Sequence, residues 1–297
     1  MIQKISVIGS GAMGNGIAHT FAQFGFNVKL IDISAAQLEK GLGTITRNMD
    51  RLIQKGLLTE EEKRDSLGRI SLVTSLEEGV READLVVEAA TENPEIKLSI
   101  FRDLDIFTRG DTILATNTSS ISITRIAAAT TRPGQVIGMH FMNPVPVMKL
   151  VEIVLGYETS AETAAAVTTL STRIQKVPVT VNDYPGFIAN RILMPMINEA
   201  IYTLYEGVAG VSEIDSIMKL GMAHPMGPLQ LADFIGLDVC LAIMEVLYEG
   251  FKNPKYAPCP LLVNMVMSRN LGIKTGNGFY RYIAGSKDLI VTERFTQ

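Results

Sequence analysis

The chain has 297 residues, of which 47% are hydrophobic, and a formal net charge of −4 at pH 7. This length allows two domains with sizeable cores, while the negative charge argues against nucleic acid as the main partner. No run reaches the roughly 18 to 20 apolar residues that a membrane span needs. The start, MIQKISVIG, goes straight into a predicted strand, so we expect no signal peptide. Cys240 and Cys259 form neither a metal-ligand nor a disulfide pattern. We therefore expect a cytoplasmic protein with no metal site and no membrane partner.

The first predicted strand, Lys4 to Ile8, runs directly into a glycine-rich turn. Gly9, Gly11 and Gly14 form the pattern G-x-G-x-x-G, and an apolar helical pattern follows it. In this context the glycines allow a tight turn, a close approach of a pyrophosphate and close packing of helix on strand. The N–H groups and the positive end of the helix dipole favour an anion at this point. The pattern predicts a dinucleotide-binding turn.

The second predicted strand, residues 27–31, ends at Asp32, eighteen positions after Gly14. An acidic side chain there accepts hydrogen bonds from an adenosine ribose. It would repel a 2′-phosphate, and Ile33 and Ser34 supply no arginine to bind one. The sequence therefore predicts NAD rather than NADP as the cofactor. The alternative is that Asp32 only begins the turn before the helix that starts at Ser34.

Strand-like and helical runs alternate through about the first 180 residues, which predicts a Rossmann-type, doubly wound, mostly parallel sheet of the α/β class. After Asn182-Asp183-Tyr184-Pro185-Gly186 the pattern becomes helical. We expect an NAD-binding domain of residues 1–184 and an all-helical C-terminal domain of residues 185–297, whose apolar helices could form either a dimer interface or an intradomain core. The later strands are predicted at 70–73, 84–88, 112–116, 136–141, 150–155 and 177–181, and the C-terminal helices at 187–206, 211–221, 227–249 and 259–271.

Polar side chains follow several predicted strands at the edge where an open parallel sheet binds its ligand. One of the three candidates after the fifth strand is instead expected to cap the helix that follows. The candidates are Glu92 and Lys97 after the fourth strand, Asn117, Ser119 and Ser120 after the fifth, and His140 at the end of the sixth.

The segment from Met139 to Glu152 reads MHFMNPVPVMKLVE and predicts two strands joined by a turn at residues 143–146. This arrangement can bring His140 against Glu152. A carboxylate in contact with an imidazole orients a general base and stabilises its imidazolium. The alternative is a core histidine beside a carboxylate by chance. The other histidines, His19 and His224, are expected to be structural.

In chain order the sequence contains the motifs GSGAMG with Asp32, DLVVEAATEN, ATNTSS, MHFMNPVPVMKLVE, DYPGFIANRI, HPMGPLQLADFIGLD and KTGNGFYRY. By these motifs the chain resembles the L-3-hydroxyacyl-CoA dehydrogenases, most closely the bacterial 3-hydroxybutyryl-CoA dehydrogenases, over nearly its whole length. The resemblance implies an NAD-dependent enzyme that acts on an acyl-CoA, with a helical domain that binds substrate and forms a homodimer.

The resemblance also implies roles for individual residues. His140 matches the family's general base and Glu152 its acidic partner. Ser119 and Asn190 match the residues that bind the C3 oxygen of the substrate, and Lys55 matches a lysine that contacts coenzyme A. At Asn48 the chain departs from the family, in which a serine commonly touches coenzyme A. The positions expected to contact the cofactor or the nicotinamide are Gly9, Gly11, Gly14, Asp32, Glu92, Lys97, Asn117, Asn143 and Lys274.

A basic helix face gives the coenzyme A assignment separate support. Arg47, Arg51 and Lys55 are four residues apart and share one face of a helix. This face could meet the phosphates of an acyl-CoA, although such a stripe is often only solvated.

The expected reaction is the reversible oxidation of an L-3-hydroxyacyl-CoA by NAD⁺, with the site in a cleft between the domains because Asn190 belongs to the helical domain. Two alternatives remain. One is a dehydrogenase of a small free 3-hydroxy acid, and the other is a non-catalytic dinucleotide-binding protein on the same fold. The acyl-chain length, the direction in the cell and the role of residues 283–297 do not follow from the sequence.

Overall fold

A computed structural model of the chain describes residues 2–283, 285–286 and 288–296. The chain divides into two compact units, Met1–Tyr184 and Pro185–Gln297. Within the described residues, no helix is both long and apolar enough to cross a membrane.

The first unit is built on an eight-stranded sheet in the order β3-β2-β1-β4-β5-β6-β7-β8. Strands β1 to β6 are parallel to one another, β7 is antiparallel to β6, and β8 is parallel to β7. The predicted mostly parallel sheet is confirmed. The strands are Lys4–Ile8 (β1), Asn27–Ile31 (β2), Ile70–Val73 (β3), Leu85–Glu88 (β4), Ile113–Thr116 (β5), Val136–Phe141 (β6), Leu150–Leu155 (β7) and Val177–Asn182 (β8).

Helices connect these strands, except for the loop between β6 and β7, and cover the sheet, so the central strands β4, β5 and β6 are buried along their whole length. Burial on both faces explains their nearly continuous apolar sequences. The chain order of the strands reverses direction between β1 and β4, and such a point is where doubly wound sheets bind their ligands. The helices are Ala12–Gln23 (α1), Ala35–Gln54 (α2), Glu60–Gly68 (α3), Leu76–Val80 (α4), Pro94–Phe107 (α5), Ile123–Ala127 (α6) and Ala161–Arg173 (α7).

The second unit is mainly helical, as predicted, with a short two-stranded antiparallel sheet that the sequence analysis did not include. The predicted helix 227–249 is two helices, because Gly236 between them has a φ of 103°, which no helix can accommodate. The elements are Ala189–Tyr205 (α8), Val211–Gly221 (α9), Pro228–Ile235 (α10), Leu237–Phe251 (α11), Pro260–Met267 (α12), Tyr280–Arg281 (β9) and Ile290–Val291 (β10). Residues 284, 287 and 297 of the C-terminal segment lie outside the described residues.

Asp233 links α10 to the segment that contains β9. Its buried carboxylate accepts hydrogen bonds from the backbone amides of Phe279, at 3.1 Å, and Tyr280, at 2.8 Å. A Cβ at Gly278 would overlap this carboxylate, so glycine is required there. Burial raises the pKa of Asp233 to about 6, although these hydrogen bonds oppose the shift. The motifs HPMGPLQLADFIGLD and KTGNGFYRY thus include residues that hold the second unit together.

Candidate active site

The glycine-rich turn has the geometry that a bound pyrophosphate needs. Gly9 has a φ of 93°, and a Cβ there would stand 2.7 Å from the carbonyl oxygen of Ala89 at the end of β4. A Cβ at Gly14 would overlap the carbonyl oxygen of Gly9, which explains the close packing of α1 on β1. At Gly11, by contrast, no described heavy atom outside the residue itself and its two chain neighbours lies within 4 Å of the Cβ position. The first turn of α1 is therefore approachable by an anion at Gly11.

Asp32 follows β2 and holds the same turn from the side. Its Oδ2 accepts hydrogen bonds from the backbone amide of Ser10, at 2.9 Å, and from the Ser10 hydroxyl, at 2.8 Å. Its Oδ1 accepts from the backbone amide of Ser34 at 3.1 Å. Partial burial opposes ionisation, but these hydrogen bonds outweigh it and lower the pKa of Asp32. Asp32 is thus an ionised acceptor beside the dinucleotide turn, and the ribose contact stays a prediction.

His140 and Glu152 lie directly opposite each other in the antiparallel pair β6–β7. Nδ1 of the imidazole is 2.7 Å from Oε2 of Glu152, and both side chains are buried. A carboxylate is only an acceptor, so Nδ1 carries the hydrogen of this bond. The structure brings together the two residues that the sequence predicted as a base and its acidic partner.

Asn117 fixes the end of β6. The backbone pairing of β5 with β6 reaches only Thr116 and Gly138. The Oδ1 of Asn117 continues it by accepting a hydrogen bond from the backbone amide of Phe141 at 2.9 Å. This contact holds the residue next to His140. It gives Asn117 a positioning role that the sequence analysis did not predict, while its contact with the cofactor stays a prediction.

Glu92 and Ser119 also meet. The backbone amide and the hydroxyl of Ser119 both donate to Oε1 of Glu92, at 2.6 and 2.8 Å. The hydroxyl of Thr118 donates to Oε2 of Glu92 at 2.8 Å.

The expectation that Asn117, Ser119 or Ser120 caps the following helix is wrong. The N-cap of α6 is Ser122, whose side chain accepts from the amide of Arg125, because the helix starts later than the first polar residues after β5.

Lys97 is only 1% exposed, and its ammonium group forms an ion pair with Glu88 at the end of β4. Glu88 also accepts a hydrogen bond from the hydroxyl of Thr116 at 2.8 Å. The Lys97 ammonium is 4.0 Å from Glu92. Glu88 was missed by the sequence analysis, although an acidic residue that ends the apolar run DLVVE is a signal that could have identified it. A cofactor contact of Lys97 stays a prediction.

Asn143 and the basic face of α2 are exposed. Asn143 is in the loop that joins β6 to β7, three positions after His140. Arg47 and Arg51 lie on the exposed side of α2, opposite its buried residues, and Lys55 is the exposed C-cap residue that follows the helix. The side chain of Arg51 donates to Oδ1 of Asn48 at 3.3 Å, so Asn48 helps to orient this basic face.

Two predicted site residues belong to the second unit. Asn190 is buried in the first turn of α8. The ammonium group of Lys274 donates a hydrogen bond to Oδ1 of Asp238 at 2.5 Å. A Cβ built at Gly236 would stand 2.5 Å from the same ammonium nitrogen. Lys274 is therefore anchored at the start of α11, and its contact with a cofactor stays a prediction.

Comparisons with known proteins match the chain along most of its length. The family described as 3-hydroxyacyl-CoA dehydrogenase, NAD binding domain, matches residues 4–184, and the 3-hydroxyacyl-CoA dehydrogenase C-terminal domain matches residues 186–282. The 3-hydroxybutyryl-CoA dehydrogenase of Bradyrhizobium diazoefficiens is 53% identical, over 95% of this chain and 96% of that protein. A probable 3-hydroxybutyryl-CoA dehydrogenase of Bacillus subtilis is 54% identical, over 95% and 98%. The crystal structure of the (S)-3-hydroxybutyryl-CoA dehydrogenase of Ralstonia eutropha has a TM-score of 0.93 at 51% identity, covering 95% of this chain and 100% of that one.

Proposed function

Because the chain belongs to the 3-hydroxyacyl-CoA dehydrogenase family, we propose that it catalyses the reversible NAD-dependent oxidation of a short L-3-hydroxyacyl-CoA, 3-hydroxybutyryl-CoA, to the 3-ketoacyl-CoA. Relatives that are more than half identical over nearly the whole chain carry that substrate in their names. The main structural support for the proposed mechanism is the contact between Nδ1 of His140 and Oε2 of Glu152 at 2.7 Å.

His140 is the proposed general base. With Nδ1 bonded to the Glu152 carboxylate, Nε2 is the ring nitrogen that accepts the proton of the C3 hydroxyl. Glu152 fixes the imidazole tautomer and stabilises the imidazolium that forms. The carboxylate is buried with the ring, so water does not screen this attraction as it would at the surface.

Ser119 and Asn190 are the proposed ligands of the C3 oxygen, whose charge changes during the reaction. Glu92 holds both the amide and the hydroxyl of Ser119 and so fixes the position of this side chain before the substrate arrives. In the proposed complex the Ser119 hydroxyl hydrogen rotates from Glu92 to the substrate oxygen.

The residues around the glycine turn fit NAD. The approachable first turn of α1 at Gly11 is the place for the pyrophosphate, and Asp32 is the ribose acceptor. When bound, NAD⁺ supplies the acceptor for the hydride that leaves C3. Beyond Gly9, Gly11, Gly14 and Asp32, the residues proposed to contact it are Glu92, Lys97, Asn117, Asn143 and Lys274.

The exposed basic face of α2, with Lys55 at its end, is the proposed site for the phosphates of coenzyme A. Lysine and arginine bind phosphate through charge-assisted hydrogen bonds. Arg47 and Arg51 extend the positive charge along the same face, which supports a polyanionic handle rather than a small free acid.

We also propose that the protein is a homodimer through its helical domain and resides in the cytoplasm. Apolar side chains on and after α9, notably Ile217, Leu220 and Met222, are exposed in the described chain. Exposed apolar groups of this kind mark interaction surfaces. Buried thiols at Cys240 and Cys259 fit a reducing compartment.

The test is a steady-state assay with NADH and acetoacetyl-CoA, extended to acyl chains of about 4 to 16 carbons and to acetoacetate without coenzyme A. We expect turnover of the short thioester, and a loss of kcat of at least about 10²-fold in His140→Gln with NADH binding retained. Faster reduction of acetoacetate than of the thioester would favour a dehydrogenase of free 3-hydroxy acids. NADH binding with no turnover of either substrate would favour a non-catalytic protein.

A further inference from the structure

The loop from Met142 to Lys149 joins β6 to β7 and therefore connects the strand of His140 with that of Glu152. It carries Asn143, which is proposed to contact the cofactor near the reacting centre. Its own backbone bonds are few: the amides of Val147 and Met148 both donate to the carbonyl oxygen of Pro144, at 3.0 Å. What holds this loop in place lies outside it.

Lys176 lies beneath the loop, directly before β8, and is only 6% exposed. Its ammonium group donates to the carbonyl oxygen of Val145 at 2.5 Å and to that of Met148 at 2.7 Å. Among the residues that the structure describes, no carboxylate lies within ion-pair distance of this ammonium group. The two loop carbonyls are therefore its ligands, and burial lowers the pKa of Lys176.

The other side of the loop packs against α1. Val145 is buried, and a Cβ at Gly16 would stand 3.0 Å from the Cβ of Val145. Gly16 thus leaves the space that the Val145 side chain fills, two residues after the last glycine of the dinucleotide turn. The loop is fixed between α1 on one side and the Lys176 ammonium group on the other.

We propose that Lys176 is a positioning residue: by binding the carbonyl oxygens of Val145 and Met148 it holds the loop against α1 and so keeps Asn143 in place beside His140. This inference rests on the roles proposed above for Asn143 and His140. A buried ammonium group with three donors suits this task because it can bind several carbonyl oxygens that an apolar side chain would leave without partners.

The test compares Lys176→Met, which keeps most of the length of the side chain and removes the ammonium group, with Lys176→Arg, which keeps the charge. Lys4→Met, at an exposed lysine at the start of β1, is the matched control. We expect Lys176→Met to lower kcat for acetoacetyl-CoA by at least about 10-fold, since small misplacements of a reacting geometry are costly. The KM for NADH should stay within about 3-fold because the glycine turn and Asp32 are untouched. Lys176→Arg should recover part of kcat, and Lys4→Met should match the wild type.

A kcat of Lys176→Met within about 2-fold of the wild type, with a lowered melting temperature, would overturn the proposal and leave Lys176 a purely structural residue. If Lys176→Met does not fold, Gly16→Ala tests whether the position of the loop matters for catalysis. Its added methyl group displaces Val145 from α1 while Lys176 remains. A native circular dichroism spectrum with kcat lowered at least about 3-fold supports the proposal, and an unchanged kcat overturns it. Failure of the proposed function would appear separately, as absent activity in the wild type or full activity in His140→Gln.

Discussion

His140 and Glu152 are opposed residues of β6 and β7, and this register brings Nδ1 and Oε2 to 2.7 Å. Directly opposed residues of an antiparallel pair have their Cβ atoms about 4.5–5.5 Å apart, on the same face of the sheet. A shift of the pairing by one residue would turn Glu152 to the opposite face. The twelve-residue spacing of the two residues therefore matters only through the loop that sets the register.

Replacement of Glu152 by glutamine should lower kcat by at least about 10², because the amide keeps a hydrogen-bond acceptor but loses the charge that stabilises the imidazolium. The KM for NADH should change little, since the dinucleotide turn is on other strands. Steady-state kinetics with acetoacetyl-CoA measure both quantities.

The double variant His140→Gln/Glu152→Gln provides the control. If Glu152 acts through His140, the double variant should be no slower than His140→Gln alone. Additive losses in kcat would mean that Glu152 has a separate role in the reaction.

Gly11→Ala and Gly14→Ala should have opposite consequences. Gly11 is the N-cap residue of α1. The methyl group at residue 11 meets no described protein atom beyond its chain neighbours, so Gly11→Ala should unfold at nearly the wild-type urea concentration, and the weaker N-cap should lower the free energy of unfolding by less than about 1 kcal/mol. Its KM for NADH should rise at least about 10-fold because the methyl group occupies the approach of the pyrophosphate. In Gly14→Ala the methyl group overlaps the Gly9 carbonyl oxygen, so this variant should lose stability itself. Equal NADH affinity in Gly11→Ala and wild type would mean that the pyrophosphate does not bind at this turn.

Asp32 should make the enzyme prefer NADH to NADPH by at least about 10² in kcat/KM, since a 2′-phosphate would face an unpaired carboxylate. Asp32→Ser should narrow this ratio by removing the repulsion. Because Asp32 also binds Ser10, the KM for NADH should rise in the same variant. Similar kcat/KM values for the two cofactors in the wild type would contradict the assignment.

Leu220→Glu should convert the proposed dimer to a monomer. Leu220 is 87% exposed and Ile217 is 60% exposed on α9, and a charge inside a buried apolar interface is strongly unfavourable. Analytical ultracentrifugation measures the mass. Ile106→Glu, at an exposed apolar residue of α5, is the control and should remain dimeric. A monomeric wild type would contradict the proposed assembly.

The sequence predicted the sheet well because its strands are short apolar runs bounded by glycine, proline and polar residues. All six later strands were predicted at their observed ends or within one residue, and the pair His140–Glu152 followed from the strand–turn–strand pattern. The break at Gly236 was missed because an isolated glycine inside an apolar helical pattern is often tolerated, and only tertiary contacts decide its φ.

The positions of buried charges could not be predicted either. The sequence predicts Lys97 as a candidate cofactor contact at the start of a helix, but not that its ammonium group pairs with Glu88 on the preceding strand. From the sequence, Lys176 would be expected to be a solvated lysine before an edge strand. In the structure its ammonium group binds two carbonyl oxygens of a loop that is distant in sequence. Such partners depend on which elements become neighbours in space, and neither spacing nor hydropathy contains that information.

His19 should make the stability of the first unit depend on pH between about 4 and about 6.5. The ring is fully buried in α1, and neither ring nitrogen has a hydrogen-bond partner among the described residues. Burial lowers the pKa of His19 to about 4, and the positive charge of Lys176 adds to this shift.

The folded protein therefore keeps His19 neutral over a range in which the unfolded chain binds a proton, so the free energy of unfolding should fall as the pH decreases from about 6.5 towards about 4. His19→Leu removes this dependence. The stability of the wild type relative to His19→Leu should fall by about 2 kcal/mol between about pH 7.5 and about pH 5, as each pKa unit corresponds to about 1.4 kcal/mol. Urea unfolding followed by circular dichroism at the two pH values measures the difference. Parallel curves for the two proteins would mean that His19 is protonated equally in the folded and unfolded states.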